Sequence, residues 1–81
     1  LGRFDDARRR LEPATAAARE LGDAQALALA TFEVGSLELT QERFEPARDA
    51  LTEATRVALT TGDARTAAHA VGLLASVHGW R

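Results

Sequence analysis

The sequence predicts an all-α fold of antiparallel helical hairpins, and three observations carry that prediction. The 81-residue chain repeats itself at an offset of forty. Arg3-Phe4-Asp5-Asp6-Ala7-Arg8 returns as Arg43-Phe44-Glu45-Pro46-Ala47-Arg48, and Leu11, Ala14-Thr15, Ala18, Ala28 and Ala30 return as Leu51, Ala54-Thr55, Ala58, Ala68 and Ala70. A period in this range marks stacked units, because one unit cannot bury its apolar face alone. Within each unit, apolar residues recur three and four positions apart, the spacing of one helix face. Gly22-Asp23 and Gly62-Asp63 punctuate the pattern as tight turns. Glycine takes the left-handed conformation that ends a helix, and aspartate accepts a backbone N–H at the start of the next.

The first helix is predicted over about residues 3–21, with Phe4, Ala7, Leu11, Ala14 and Ala18 as its apolar stripe. Asp5 with Arg9 and Asp6 with Arg10 are acid-before-base pairs one turn apart. Pro13 removes a helical hydrogen bond and is expected to kink or weaken this helix. The second helix, 24–40, is apolar nearly all round in its first half, as a helix buried on several sides is. Leu27, Ala28, Thr31, Val34 and Gly35 share one of its faces. Gly35 costs about 1 kcal/mol of helix propensity, so close approach of a neighbouring helix is expected there. After a turn at Thr40-Gln41-Glu42, the third helix, 43–60, carries Pro46 in its first turn, where a missing N–H does no harm. It rebuilds the first stripe as Phe44, Ala47, Leu51, Ala54 and Ala58. The fourth, 63–78, is expected to turn Ala64, Ala67, Ala68, Val71, Leu74 and Ala75 inward.

Composition narrows the function classes. A chain this short forms one domain and buries only about 60–65% of its unfolded surface. It has no cysteine, so neither disulfides nor thiolate metal sites support it. The net charge of −2 argues against a general nucleic-acid or membrane binder. No apolar run approaches the roughly 20 residues that span a bilayer. No signal-peptide pattern opens the chain, and a cytoplasmic location is expected. The sequence starts inside a repeat, which reads as a piece of a longer protein. Every basic residue is arginine, a hint of a GC-rich bacterial genome.

Val34-Gly35-Ser36-Leu37-Glu38, followed by Phe44, Ala47, Leu51 and Ala54, resembles the tetratricopeptide repeat. Val34-Gly35 matches that family's leucine–glycine pair in the inner helix, and Phe44 its aromatic opening the outer helix. Ala47 and Ala54 match its two outer-helix alanines, with Leu51 between them. The fourth helix offers Leu74-Ala75 at the leucine–glycine pair. Thr31 and Glu38 stand where the family has tryptophan and tyrosine, and Leu59 where it has its closing proline. Without that proline the outer helix runs on, which lengthens the usual repeat of about 34 residues to forty. Long repeats of this kind are familiar from bacterial transcriptional regulators, including antibiotic-regulatory proteins of actinomycetes. The resemblance implies an α-solenoid fragment of four helices with a right-handed superhelical tendency. It also implies a protein–protein interaction scaffold, or alternatively the ligand-sensing or self-assembly region of such a regulator.

By the same resemblance the inner helices line a concave groove for a protein or peptide partner. Leu29, Phe32, Glu33 and Ser36 would face it from the second helix, and His69, Leu73 and Ser76 from the fourth. Arg8-Arg9-Arg10 points three ways around a helix among Asp5, Asp6 and Glu12, and is expected to be a solvated face rather than a phosphate site. His69 and His78, nine apart, lack metal-ligand spacing. His78 is expected to cap its helix near the negative dipole end. Trp80 is expected to contact a further helix or a second copy of the chain. No phosphate loop, serine elbow or paired acid–base set appears, so no cofactor and no enzymatic activity are expected.

Overall fold

The computed structural model describes residues 3–79, with His78 and Gly79 described by their backbone alone. The expectations for Trp80 and for the His78 side chain lie outside the described residues. Four helices and no strands make up the described chain: α1 Arg3–Leu21, α2 Ala24–Thr40, α3 Phe44–Thr61 and α4 Ala64–Gly79. α1 and α2 have the predicted bounds. α3 and α4 begin one residue later than expected because Arg43 and Asp63 sit in the capping position. The carbonyl of each accepts a first helical bond, from Ala47 N and Ala67 N respectively. α1 runs unbroken through Pro13, which lies on its exposed side.

The three interhelical turns are one device used at twenty-residue intervals. Gly22, Glu42 and Gly62 have φ of 69°, 60° and 77°. In each turn the following N–H reaches back to a carbonyl in the last helical turn: Asp23 to Ala18, Arg43 to Glu38 and Asp63 to Ala58, each at 2.9 Å. This closure satisfies carbonyls that the helix end leaves open. Asp23 Oδ1 then accepts from Ala26 N, and Asp63 Oδ1 from Thr66 N, both at 3.1 Å. Glu42 departs from the pattern, since a Cβ in the left-handed region costs about 1–2 kcal/mol. Its counterpart forty residues earlier is Gly2. Glu42→Gly is therefore expected to raise stability by about 1 kcal/mol, or roughly 4–8 °C in melting temperature. Thermal unfolding followed by circular dichroism checks this.

Packing follows chain order. α2 packs against α1, α3 and α4, and α3 packs against α2 and α4, whereas the backbone of α1 approaches that of α2 alone. α2 accordingly buries Ala28, Ala30, Thr31, Gly35 and Glu38, as its all-round apolarity foretold. A Cβ built on Gly35 would stand 2.6 Å from Leu51 Cγ and Cδ2, so the glycine does mark a close approach of α3. Around that contact Ala47, Leu51, Ala54, Ala70 and Val77 form one core cluster, with Ala28, Val57, Ala58 and Ala67 forming a second.

Two predicted stripes are not covered. In α1 only Ala18 is buried, while Phe4 and Ala14 are exposed. In α4 the residues expected inward divide. Ala67 is buried and Leu74 half-buried, but Ala64, Ala68, Val71 and Ala75 are exposed, and Thr66, Ala70 and Val77 are buried instead. The reason is common to both helices: among the described residues, each has helices packed on one side and none on the other. Thr66, which the apolar pattern passed over, is buried, and its hydroxyl is satisfied by donating to Asp63 Oδ2 at 2.7 Å.

Candidate partner-binding groove

α2 and α4 bring part of the predicted groove together. The Phe32 and His69 rings lie 6.2 Å apart between centroids and 34° from parallel, within the range of tilted aromatic contacts. Phe32 and Leu73 are half-buried and rest on the same core cluster. They are held from beneath by packing, while His69 is exposed beside them. Leu29 is 46% exposed, and Glu33 and Ser76 are exposed as well. Ser36 is half-buried, and its carbonyl accepts from Thr40 Oγ1 at 2.9 Å. Ser76 Oγ donates to the Gly72 carbonyl at 3.5 Å, a local bond within α4. The surface is thus apolar at its floor, with one carboxylate and one imidazole at its edge.

A second cluster escaped the sequence reading. Glu38, at the end of α2, is buried, and its Oε1 lies 3.2 Å from Arg8 Nη2 and 3.3 Å from Arg43 Nε. Arg8 Nη2 also donates to Gln41 Oε1 at 3.0 Å. One carboxylate therefore ties α1, the end of α2 and the start of α3. Arg8 is half-buried in this cluster, which corrects its expected place on a solvated face; Arg9 and Arg10 are exposed as expected. The local pairs in α1 differ too. Arg8 meets Asp5 at 4.0 Å and Arg9 meets Asp6 at 3.5 Å, each one position closer than the expected spacing. Glu38 lies on the Ala28-Thr31-Gly35 stripe, and that spacing was the available signal.

Arg19 and Glu53 form a forked pair between α1 and α3, with Nη1–Oε2 at 2.6 Å and Nη2–Oε1 at 3.3 Å. The bond from Arg19 holds the Glu53 carboxyl below its ordinary range, with a smaller opposing push from burial. Asp63 is held low chiefly by the Thr66 hydroxyl and backbone N–H. Both folded-state values are depressed, so each group adds stability that is present above the ordinary carboxylate range and lost as pH falls through the folded value. The melting temperature is expected to fall on acidification below about pH 4.5. Glu53→Gln should flatten that fall; an unchanged slope would assign it elsewhere.

Among the described residues, no three His, Cys, Asp or Glu side chains group as metal ligands would, and no helix is long and apolar enough to cross a membrane. No protein-family model, curated protein or solved structure matches the chain.

Proposed function

We propose that the chain is a tetratricopeptide-like interaction scaffold with no catalytic role, taking a peptide segment of a protein partner along α2 and α4. The observation that carries this is the asymmetry of packing. The inner helices α2 and α4 pack against each other, whereas α1 and α3 are joined only by long side chains. A stack whose inner helices touch and whose outer helices splay bends toward the inner side. The Phe32–His69 contact joins these two helices, and exposed Leu29 lies about one helical turn before Phe32 on α2. Supported apolar floors with a few polar groups at the rim suit peptide docking by apolar anchors.

A displayed library of random peptides, selected against the whole chain, tests this. Selected peptides should lose about tenfold or more in affinity on Leu29→Glu and on His69→Glu, the cost of about 1.4 kcal/mol. Both positions are exposed, so the helical signal should not change. Peptides that bind both variants as well as the parent chain would place the binding surface elsewhere.

A further inference from the structure

α2 packs against all three other helices, and one strip of it is still open. Those contacts bury Ala28, Ala30, Thr31, Gly35 and Glu38. Leu29 stays 46% exposed, and Glu33 is exposed as well. The two are four residues apart, so they share a face and stand about 6 Å apart along the axis. Phe32, next to Glu33 in the chain, rests on the core cluster and meets His69 of α4. An exposed leucine and an exposed carboxylate thus border a ring that packing holds in place.

The carboxylate has no counter-charge. Glu33 and Glu38 are the only charged residues of α2. Glu38 is buried and met by Arg8 and Arg43, whereas Glu33 joins no ion pair among the described residues. On the outer helices, Asp5, Asp6, Asp49 and Glu53 each lie within 4.0 Å of an arginine. The sequence has no lysine, and the only arginine of α4 is Arg65, one turn before His69 and two residues from the Asp63 carboxylate. The open strip of α2 therefore offers hydrocarbon and a single negative charge.

We propose that the segment held at this groove is basic as well as apolar. A large apolar side chain seats on Leu29 and Phe32, and a lysine or arginine two residues away pairs with Glu33. An extended chain advances about 3.3 Å per residue and turns every second side chain to the same side, so such a pair spans about 6.6 Å. That matches the helical turn between Leu29 and Glu33. An acidic segment of the same shape meets like charge at Glu33 and is rejected. The proposal rests on the peptide-groove reading above and adds the charge of the partner to it.

Selection of displayed random peptides of about seven residues, too short to be helical alone, tests it on the whole chain. Peptides that depend on Leu29 should carry lysine or arginine two places from a large apolar residue. Their binding should weaken as salt rises, because an exposed pair is screened. Glu33→Gln should weaken them about threefold, in line with an exposed ion pair, and Glu33→Arg about tenfold, since attraction becomes repulsion. Selection repeated on Glu33→Arg should favour aspartate or glutamate at the same place. Glu20→Arg makes the same change in net charge on α1, and selection on it should keep the basic preference. Both positions are exposed and arginine is a good helix former, so the helical signal should hold. Leu29-dependent peptides with no basic preference, or a preference that Glu20→Arg shifts as much as Glu33→Arg does, would overturn the proposal and leave the groove standing. Peptides indifferent to both Leu29→Glu and Glu33→Arg, or a selection that yields none, would overturn the groove reading and the proposal together.

Discussion

Leu51→Ala is expected to lower the free energy of unfolding by about 3–4 kcal/mol, within the span of fully buried leucine truncations. Leu51 has no exposed surface and is the largest side chain so buried. Its neighbours on α3, Ala47 and Ala54, and Gly35 across from it are too small to fill the space it would leave. A chain this size has only about 4–12 kcal/mol of stability in total, so the loss is a large share. Urea unfolding followed by circular dichroism measures it, and a loss under about 1 kcal/mol would mean that Leu51 is not enclosed. Gly35→Ala sharpens the test. In the parent chain its Cβ would press on Leu51 Cγ and Cδ2, and overpacking of this kind costs about 1–3 kcal/mol. In the Leu51→Ala background the obstruction is gone, and alanine's helix propensity should make the same change favourable by up to about 1 kcal/mol. The reversal of sign is what direct contact requires; additive effects would refute it.

Glu38→Ala should cost about 2 kcal/mol. Removing one partner of a fully buried ion pair costs about 3–5 kcal/mol, and the lower figure here reflects guanidinium groups that reach water in part. Arg8 keeps 28% of its side-chain surface exposed and Arg43 keeps 49%. Arg8 is the more exposed to harm, because its Nε is already buried without a hydrogen-bond partner among the described residues. Glu38→Gln, which keeps an acceptor but not the charge, should fall between parent and alanine. Adding Arg8→Ala to Glu38→Ala should recover part of the loss, since no charge is then left half-buried. Thermal unfolding of the three variants checks the order, and a fully additive double variant would show that the two residues act separately.

The sequence made the helix bounds, the Gly-Asp turns and the close approach at Gly35 legible, because each depends on local chemistry or on a repeated spacing. Burial was legible where a helix has neighbours on both sides. The α3 stripe of Ala47, Leu51, Ala54 and Ala58 is buried as read. The matching α1 stripe is not, although its residues match, because periodicity reports which face is apolar and not whether anything covers it. Val71 shows the same limit: it shares the register of buried Thr31 and is exposed, since no described helix covers that face of α4. Glu38 failed in the opposite sense. A charge on an apolar stripe reads as a departure from the family pattern, and its two arginines lie 30 residues before it and five after. Side-chain pairs at such separations leave no periodic trace. Of the residues read as groove-facing, Phe32 and His69 come together and Phe32 and Leu73 rest on one core cluster, a placement that depends on α2 meeting α4 and that no local spacing records.

The most direct measurement is a nuclear Overhauser spectrum of the methyl-labelled chain, read for the neighbours of α3. If two like halves stack with α3 between α2 and α4, the Leu51 methyls will show contacts to Gly35, and Val57 and Ala58 will show contacts to both Ala28 and Ala67. Contacts from α3 to only one of the two helices would contradict the stack and the groove reading built on it.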